Sequence, residues 1–227
     1  NLAKQPSDFS PARELTEPML RPQGCDRAKV AKAVSYIVHS NWKLVWENNR
    51  ECYHCNISHP QYIKANYDHY NTDDTSPELM AKIAAKSERS EKTWGRQGLA
   101  ITHCSSGMAP FPDAGNDGWF TINRTPLADG YVSETMDGQQ VAPLMGDYTD
   151  NSVGTLRLRT VPNMWCHASC DHVVSTRLLP NKPRSKRSCA AACSCLISAI
   201  SCEVNISNVR HCPSAAVSAK GSERSTR

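Results

Sequence analysis

Two histidines and a glutamate lie close together in a short stretch near the middle of the first half of the chain. His54 and His59 are five positions apart, and Glu51 lies three positions before His54. Imidazole groups suit Fe(II), and a facial iron site needs two histidines and one carboxylate, with coordination positions left open. The residue types are therefore those of a candidate iron site.

The spacing places a condition on that site. On a regular helix the side chains of His54 and His59 would point roughly 140° apart, which is too wide for one metal ion. Pro60 disfavours helical geometry at His59, so we expect the helix to break there and His59 to turn inward. Glu51 would then lie between the two histidines. From spacing alone, a helix end with two partly buried histidines and no metal is the more frequent case.

Further motifs surround these residues. Asn41-Trp42-Lys43 is followed by Glu47-Asn48, by Glu51-x2-His54 and by His59-Pro60. This order resembles the mononuclear-iron motif in the alpha subunit of Rieske-type non-haem iron oxygenases, the aromatic-ring-hydroxylating dioxygenase family. The likeness extends from about residue 17 to residue 180. It includes Pro22-Gln23-Gly24, Arg124-Thr125-Pro126, Met136-Asp137-Gly138 and Pro162-Asn163-x-Trp165.

The glutamate refines the resemblance. Glu51, in the run ECYHC, is similar to the branch that acts on quaternary ammonium compounds, the glycine betaine monooxygenases, whereas ring-hydroxylating members usually carry aspartate there. The resemblance implies an iron-dependent oxygenase that uses Fe(II) and O2 to oxidise a small substrate, by N-demethylation of a compound such as glycine betaine.

The same resemblance implies the role of each site residue. His54 and His59 would bind mononuclear Fe(II), and Glu51 would bridge the iron site to the Rieske cluster of a neighbouring subunit. The implied fold is an α+β helix-grip, an antiparallel sheet flanked by helices, usually in a homotrimer. The implied partners are the substrate, O2 and a reductase that passes on electrons from NAD(P)H, with no nucleic acid and no membrane.

The chain departs from the family pattern at the Rieske cluster. A 2Fe–2S Rieske cluster needs Cys-x-His and Cys-x2-His. Cys-x-His occurs at Cys52/His54 and Cys170/His172, but Cys-x2-His does not occur in the sequence. We therefore expect the Rieske domain to lie upstream of Asn1.

The second departure concerns the third iron ligand, which in the family is an acid well after Pro-Asn-x-Trp. After Pro180 only Glu203 and Glu223 are acidic, and their surroundings do not resemble the family. We therefore expect an incomplete catalytic domain that is inactive alone. The alternatives are a fragment that retains only an assembly or binding surface, and a zinc or thiol module built from Cys52, Cys55 and the cysteines near the C-terminus.

His167 and His172 repeat the spacing of the first histidine pair. If both lie in one strand, their odd separation sends the side chains to opposite faces of the sheet. We therefore expect no second metal site there.

Composition is that of an ordinary globular protein, with 39% hydrophobic residues and 21% charged residues in 227. No apolar run approaches the roughly 20 residues of a membrane helix, and no signal-peptide stretch is visible, so we expect a cytoplasmic protein. The net charge of +4 is uneven, because residues 181–227 hold 8 basic and 2 acidic residues. This tail has no Trp, Tyr or Phe, and we expect it to be disordered.

Local patterns predict helices first and strands afterwards, which is typical of α+β proteins. A strand is expected at 34–38, a helix over 41–59, and a second helix capped by Ser76 that runs to about Glu91. Antiparallel strands are expected between 95 and 179. The expected division is an irregular linker or edge segment at 1–25, a partial iron-binding catalytic domain at 26–180 and an unrelated tail at 181–227.

Overall fold

The computed structural model of the chain describes seven segments. They are residues 4–5, 8–50, 54–66, 76–101, 120–160, 163–180 and 191–200, the last as backbone only. Within them five α-helices are found: α1 Ser10–Leu20, α2 Trp42–Arg50, α3 Cys55–Ser58, α4 Pro60–Ala65 and α5 Pro77–Arg96. The same segments contain six strands, which are in chain order β1 Lys29–Val38, β2 Phe120–Thr125, β3 Thr155–Thr160, β4 Met164–Ala168, β5 His172–Pro180 and β6 Ala191–Ile200.

The strands form one antiparallel sheet in the order β1-β6-β5-β4-β3-β2. Strands β2 to β5 follow one another as a meander, and β6 returns to lie between β5 and β1. The predicted α+β class is confirmed, and β2 to β5 are the antiparallel strands expected between residues 95 and 179, although β5 ends one residue later.

The two faces of the sheet differ in chemistry, because successive residues of a strand point to opposite sides. On β3, Leu156 lies in the main hydrophobic cluster, while Arg157 lies on the other side and is equally buried. We call the first side the core face. Its buried residues are apolar except for Arg124, and they are Phe120, Ile122, Arg124, Leu156, Cys166, Ala168 and Val173. We call the second side the polar face, and its polar residues are Thr121, Asn123, Thr125, Thr155, Arg157, Arg159, His167 and Thr176.

Helix α1 corrects the expectation of an irregular segment over residues 1–25, because Ser10–Leu20 is helical and a 3₁₀ turn continues it to Gln23. Proline in the first helical turn suits a helix start, and Met19 packs into the main hydrophobic cluster. Gly24 ends the segment at φ 61°, and a Cβ there would lie 2.5 Å from the Cα of Gly146. Tertiary packing, which composition does not reveal, therefore stabilises this helix.

Helix α5 begins where the sequence predicts. The Ser76 Oγ accepts a hydrogen bond from the backbone N–H of Leu79 at 3.3 Å, which is an N-cap contact. The helix extends to Arg96, beyond the expected end near Glu91, and Trp94 near its end donates a hydrogen bond to the Ser152 carbonyl at 3.1 Å. The extra turn is therefore held by packing against the loop before β3.

The predicted helix over residues 41–59 is divided in the structure. Helix α2 extends to Arg50, and α3 and α4 follow, whereas residues 51–53 lie outside the described segments. The predicted break at His59 is confirmed, because its φ of −134° and ψ of 54° are not helical. Pro60 occupies the first turn of α4, so it begins a new helix as well as ending the previous one.

Within the expected tail the structure describes residues 191–200, which form β6 between β1 and β5. At these ten positions the chain is a strand, which differs from the expectation of disorder. The rest of the tail lies outside the described residues, and the expected domain boundaries stay predictions. Among the described helices, none is both long enough and apolar enough to cross a membrane.

Candidate metal centre and its polar surroundings

The structure brings the two predicted metal ligands together. His54 immediately precedes α3, and its carbonyl accepts hydrogen bonds from the N–H groups of Ile57 and Ser58 at 3.3 and 2.9 Å. His59 follows the last residue of α3, and its N–H donates to the Cys55 carbonyl at 2.8 Å. The ring centroids of the two histidines are 5.2 Å apart, with an angle of 80° between the ring planes.

This geometry fits a shared metal ion. With metal–nitrogen bonds of about 2.1 Å, two imidazoles on one ion have ring centres roughly 5 Å apart. Burial lowers the pKa of His59 below its ordinary value, and the neighbouring His54 lowers it further. A lowered pKa keeps the imidazole neutral, which is the form that binds metal ions. The two rings are therefore close enough to share a divalent metal such as Fe(II), and His59 favours its neutral, metal-binding form.

A third ligand is not placed by the structure. Glu51, the predicted bridging residue, lies outside the described residues. In the part of the chain that is described, no group of three or more His, Cys, Asp or Glu side chains is arranged to hold a metal. The structure thus describes two neighbouring imidazoles, and the role of Glu51 stays a prediction.

Helix α4, which follows His59, lies against the polar face. The Arg157 guanidinium donates a hydrogen bond from Nη2 to the Asn66 Oδ1, and its Cζ lies 5.8 Å from the centre of the Tyr62 ring. The Tyr62 ring is also 5.9 Å from the His167 ring, centroid to centroid. Charged and aromatic groups of the sheet therefore face the helix that begins at a candidate iron ligand.

Helix α2 covers the neighbouring part of the same face. Trp46 packs on Trp165, with ring centroids 5.9 Å apart, and both contact Leu178. The Arg159 Nε donates a hydrogen bond to the Asn49 Oδ1 at 3.3 Å. The polar face is consequently buried under α2 and α4.

Sequence reasoning missed Glu134, a carboxylate buried beside this face. Its Oε2 lies 3.5 Å from the His167 Nδ1, and its side chain is only 10% exposed. Burial alone would raise the pKa of Glu134, but the charges of His167 and Arg157 outweigh burial and lower it to about 2. Burial lowers the pKa of His167, against the opposing effect of Glu134. No sequence pattern indicates Glu134, because the loop that carries it is distant along the chain from Arg157 and His167.

The second histidine of the 167/172 pair belongs to a separate network. His172 lies in β5 and His167 in β4, so the reasoning that placed both in one strand is wrong. Asp171 is fully buried and accepts hydrogen bonds from the Ser133 Oγ at 2.6 Å and the Val141 N–H at 2.7 Å. The His172 Nδ1 lies 2.8 Å from the same carboxylate. These contacts attach the loop before β3 to the β4–β5 hairpin.

Fold and site together define an α+β domain in which two neighbouring histidines precede a helix that packs on a buried polar sheet face. Residues 25–200 match the family model described as "Ring hydroxylating alpha subunit (catalytic domain)". The chain belongs to this family. The resemblance seen in the sequence is thereby confirmed.

Two curated relatives are similar to the chain over most of its length. The glycine betaine monooxygenase oxygenase subunit of Chromohalobacter salexigens is 33% identical over 190 residues, which are 81% of this chain and 39% of the relative. The protein of the same name from Pseudomonas aeruginosa is 33% identical over 181 residues, 79% of this chain and 39% of the relative. The chain therefore spans 39% of the length of each relative.

Proposed function

We propose that this chain carries the iron-binding part of a Rieske-type oxygenase that removes an N-methyl group from a small quaternary ammonium compound such as glycine betaine. The observation that carries the proposal is the pair of imidazoles with ring centroids 5.2 Å apart. Membership of the ring-hydroxylating alpha subunit family supports the reaction class. The names of the two relatives support the choice of substrate.

A ferrous ion held by His54 and His59 would supply oxygen activation, with electrons from a 2Fe–2S Rieske cluster and a separate NAD(P)H-dependent reductase. In the overall reaction, one atom of O2 enters a C–H bond of the methyl group. The other atom leaves as water and consumes two electrons and two protons. The hydroxymethyl group is then lost as formaldehyde, which leaves an amine with one methyl group fewer.

The residues of the chain have distinct parts in this proposal. His54 and His59 bind the metal through neutral imidazoles, which burial favours at His59. Glu51 is the proposed bridge to the Rieske cluster of a neighbouring subunit in a homotrimer with the helix-grip fold. The polar face beneath α4 is buried away from bulk water and would form the inner wall of the site.

Anaerobic titration of the chain with Fe(II) tests the metal centre. We expect weak binding of one ion per chain, since the described donors are two histidines. His54→Ala and His59→Ala should each reduce the affinity by more than the roughly 100-fold seen when supporting residues around a metal site are removed. His39→Ala is the matched control, because His39 is exposed just after β1. Unchanged affinity in both site variants would refute the proposed centre.

The substrate class is tested on the iron-loaded chain by calorimetry. Glycine betaine should bind measurably, whereas glycine, which lacks the methyl groups, should bind at least tenfold more weakly. Equal binding of the two compounds would leave the metal centre intact but reject the proposed substrate class.

A further inference from the structure

We propose that Arg157 positions the iron ligand His59 by holding helix α4 against the sheet. This inference rests on the proposed role of His59 as an iron ligand. It concerns a residue that need not touch the metal or the substrate, and it follows from contacts between β3 and α4.

His59 occupies a junction whose geometry depends on its neighbours. Its N–H donates to the Cys55 carbonyl of α3 at 2.8 Å, and its carbonyl accepts from the Ile63 N–H of α4 at 3.1 Å. Its own φ and ψ, −134° and 54°, belong to neither helix. Because the backbone turns at this residue, the direction of the imidazole depends on how α4 is placed relative to α3.

Helix α4 cannot hold that placement alone. It has six residues, Pro60–Ala65, whereas isolated helices shorter than about 12 residues are marginal in water. Contacts with the rest of the protein must therefore fix it. At its carboxyl end, the Ala65 carbonyl accepts a hydrogen bond from the Ala128 N–H at 2.9 Å, and Asn66 forms a β-bridge with Leu127.

Arg157 contacts this helix at both ends. Near the start its guanidinium lies over the Tyr62 ring at 5.8 Å, within the distance at which a cation attracts an aromatic ring. At the end it donates a hydrogen bond to the Asn66 side chain. The Asn66 amide in turn donates to the Tyr62 carbonyl at 2.8 Å, so the two contacts are joined. The planar guanidinium is suited to such a two-point contact, and a lysine ammonium is not.

Other groups keep this arginine in place. Arg157 is 2% exposed, so its charge is almost entirely removed from water. A buried cation is costly unless an opposite charge is near. The Glu134 carboxylate is that charge, and its own pKa is lowered partly by Arg157. The His167 ring also lies 5.9 Å from the Tyr62 ring, centroid to centroid, and limits movement of the tyrosine.

The test compares Arg157→Lys with the parent chain, using Fe(II) titration and hydrogen exchange. The lysine keeps the charge but loses the two-point contact. We expect Fe(II) affinity to fall about tenfold, as for other residues that orient metal ligands. In the metal-free chain, the amides of Ile63 and Asn66 should exchange about tenfold faster, because their hydrogen bonds lie within α4.

Two controls separate positioning from general destabilisation. Arg159→Lys changes the same residue type on the same face, and Arg159 donates a hydrogen bond to Asn49 of α2. Leu156→Val lies on the adjacent position of β3 and points to the core face. Both should leave the exchange rates within α4 and the Fe(II) affinity within twofold of the parent. If either control matches the Arg157 variant in both measurements, the effect is global and the inference is wrong.

A double variant identifies the contact. Asn66→Ala alone should weaken Fe(II) binding. The double variant with Arg157→Lys should bind Fe(II) as tightly as Arg157→Lys alone, because both changes break the same hydrogen bond between Arg157 and Asn66. Additive losses would contradict the proposed route through Asn66. If His59→Ala abolishes binding while Arg157→Lys has no effect, only this inference fails. If His59→Ala also has no effect, the proposed metal centre fails as well.

Discussion

The core face and the polar face of the sheet are built from the same strands but serve different purposes. Leu156 and Arg157 are adjacent on β3, and their exposed fractions are 1% and 2%. The leucine packs with Met19 and Met145 in the main hydrophobic cluster, whereas the arginine contacts α4 and lies near Glu134. These two neighbouring positions are therefore equally buried, and only the chemistry of the buried groups differs.

Because side chains alternate along each strand, the groups that stabilise the fold lie mainly on the core face, and the groups that contact α4 lie on the polar face. Apolar groups on the core face gain free energy simply by leaving water. Buried charges on the polar face gain little and must be matched by partners. Buried charges of this kind are useful where they hold other side chains or helices in a fixed position. Substitutions on the core face should consequently change mainly the free energy of unfolding, whereas loss of the contacts with α4 should change mainly the affinity for Fe(II).

The largest effect on stability is expected from the core face. Leu156→Ala removes a fully buried side chain and should lower the free energy of unfolding by about 3 kcal/mol. Urea denaturation measures this loss. Fe(II) affinity of the folded variant should stay within twofold of the parent, since Leu156 points away from α4. A tenfold weaker affinity would show that the two faces are not separable.

The next effect is expected at Glu134. Glu134→Gln should cost about 2 kcal/mol near neutral pH, because Arg157 loses a charged neighbour. The stability of the parent chain should also decrease in acid because Glu134 becomes protonated. Since its pKa falls from 4.5 to about 2 on folding, the unfolded chain binds more protons in that interval. The associated stability is fully present above about pH 4.5 and is lost as the pH falls towards 2.

Unfolding measured across that pH range checks the assignment. The Gln variant should lack the part of the acid-dependent slope that belongs to Glu134, while a control, Glu14→Gln on the exposed surface of α1, should retain it. The same slope in parent and Gln variant would mean that the pKa of Glu134 does not fall on folding.

The smallest effect should have the opposite sign. The Thr155 Oγ1 is buried on the polar face without a hydrogen-bond partner among the described residues. Thr155→Val replaces it with an apolar group of similar shape and should stabilise the chain by about 1 kcal/mol. Thr16→Val is the control, because the Thr16 Oγ1 donates to the Ala12 carbonyl at 2.7 Å. Destabilisation by both changes would show that the polar face is as optimised for stability as the core.

Much of the sheet could be predicted from local pattern, but its functional side could not. In TLRLRT, leucine and arginine alternate, which predicts a strand with two unlike faces. Alternation does not reveal which face meets water. That depends on α2 and α4, which cover the arginines and are distant along the chain.

The proposed metal centre was likewise predictable only in part. The closeness of His54 and His59 was predictable because they lie only five positions apart in the chain. Arg157 and Glu134 were not, since strand pairing and a long loop bring them to α4. Helix α1 was missed for a related reason, because its prolines indicate irregular structure while buried Met19 stabilises a helix.

The position of β1 in the sheet affects how the chain is made. Its pairing partner is β6, with Lys29 opposite Ile200 and Val38 opposite Ala191. During synthesis at roughly 5–20 residues per second, β1 leaves the ribosome on the order of ten seconds before β6. Throughout that interval Val30 and Ile37 have no strand beside them, and unpaired apolar strands are prone to aggregate. Yield of native protein should therefore depend on the speed of translation and on chaperones that cover this strand.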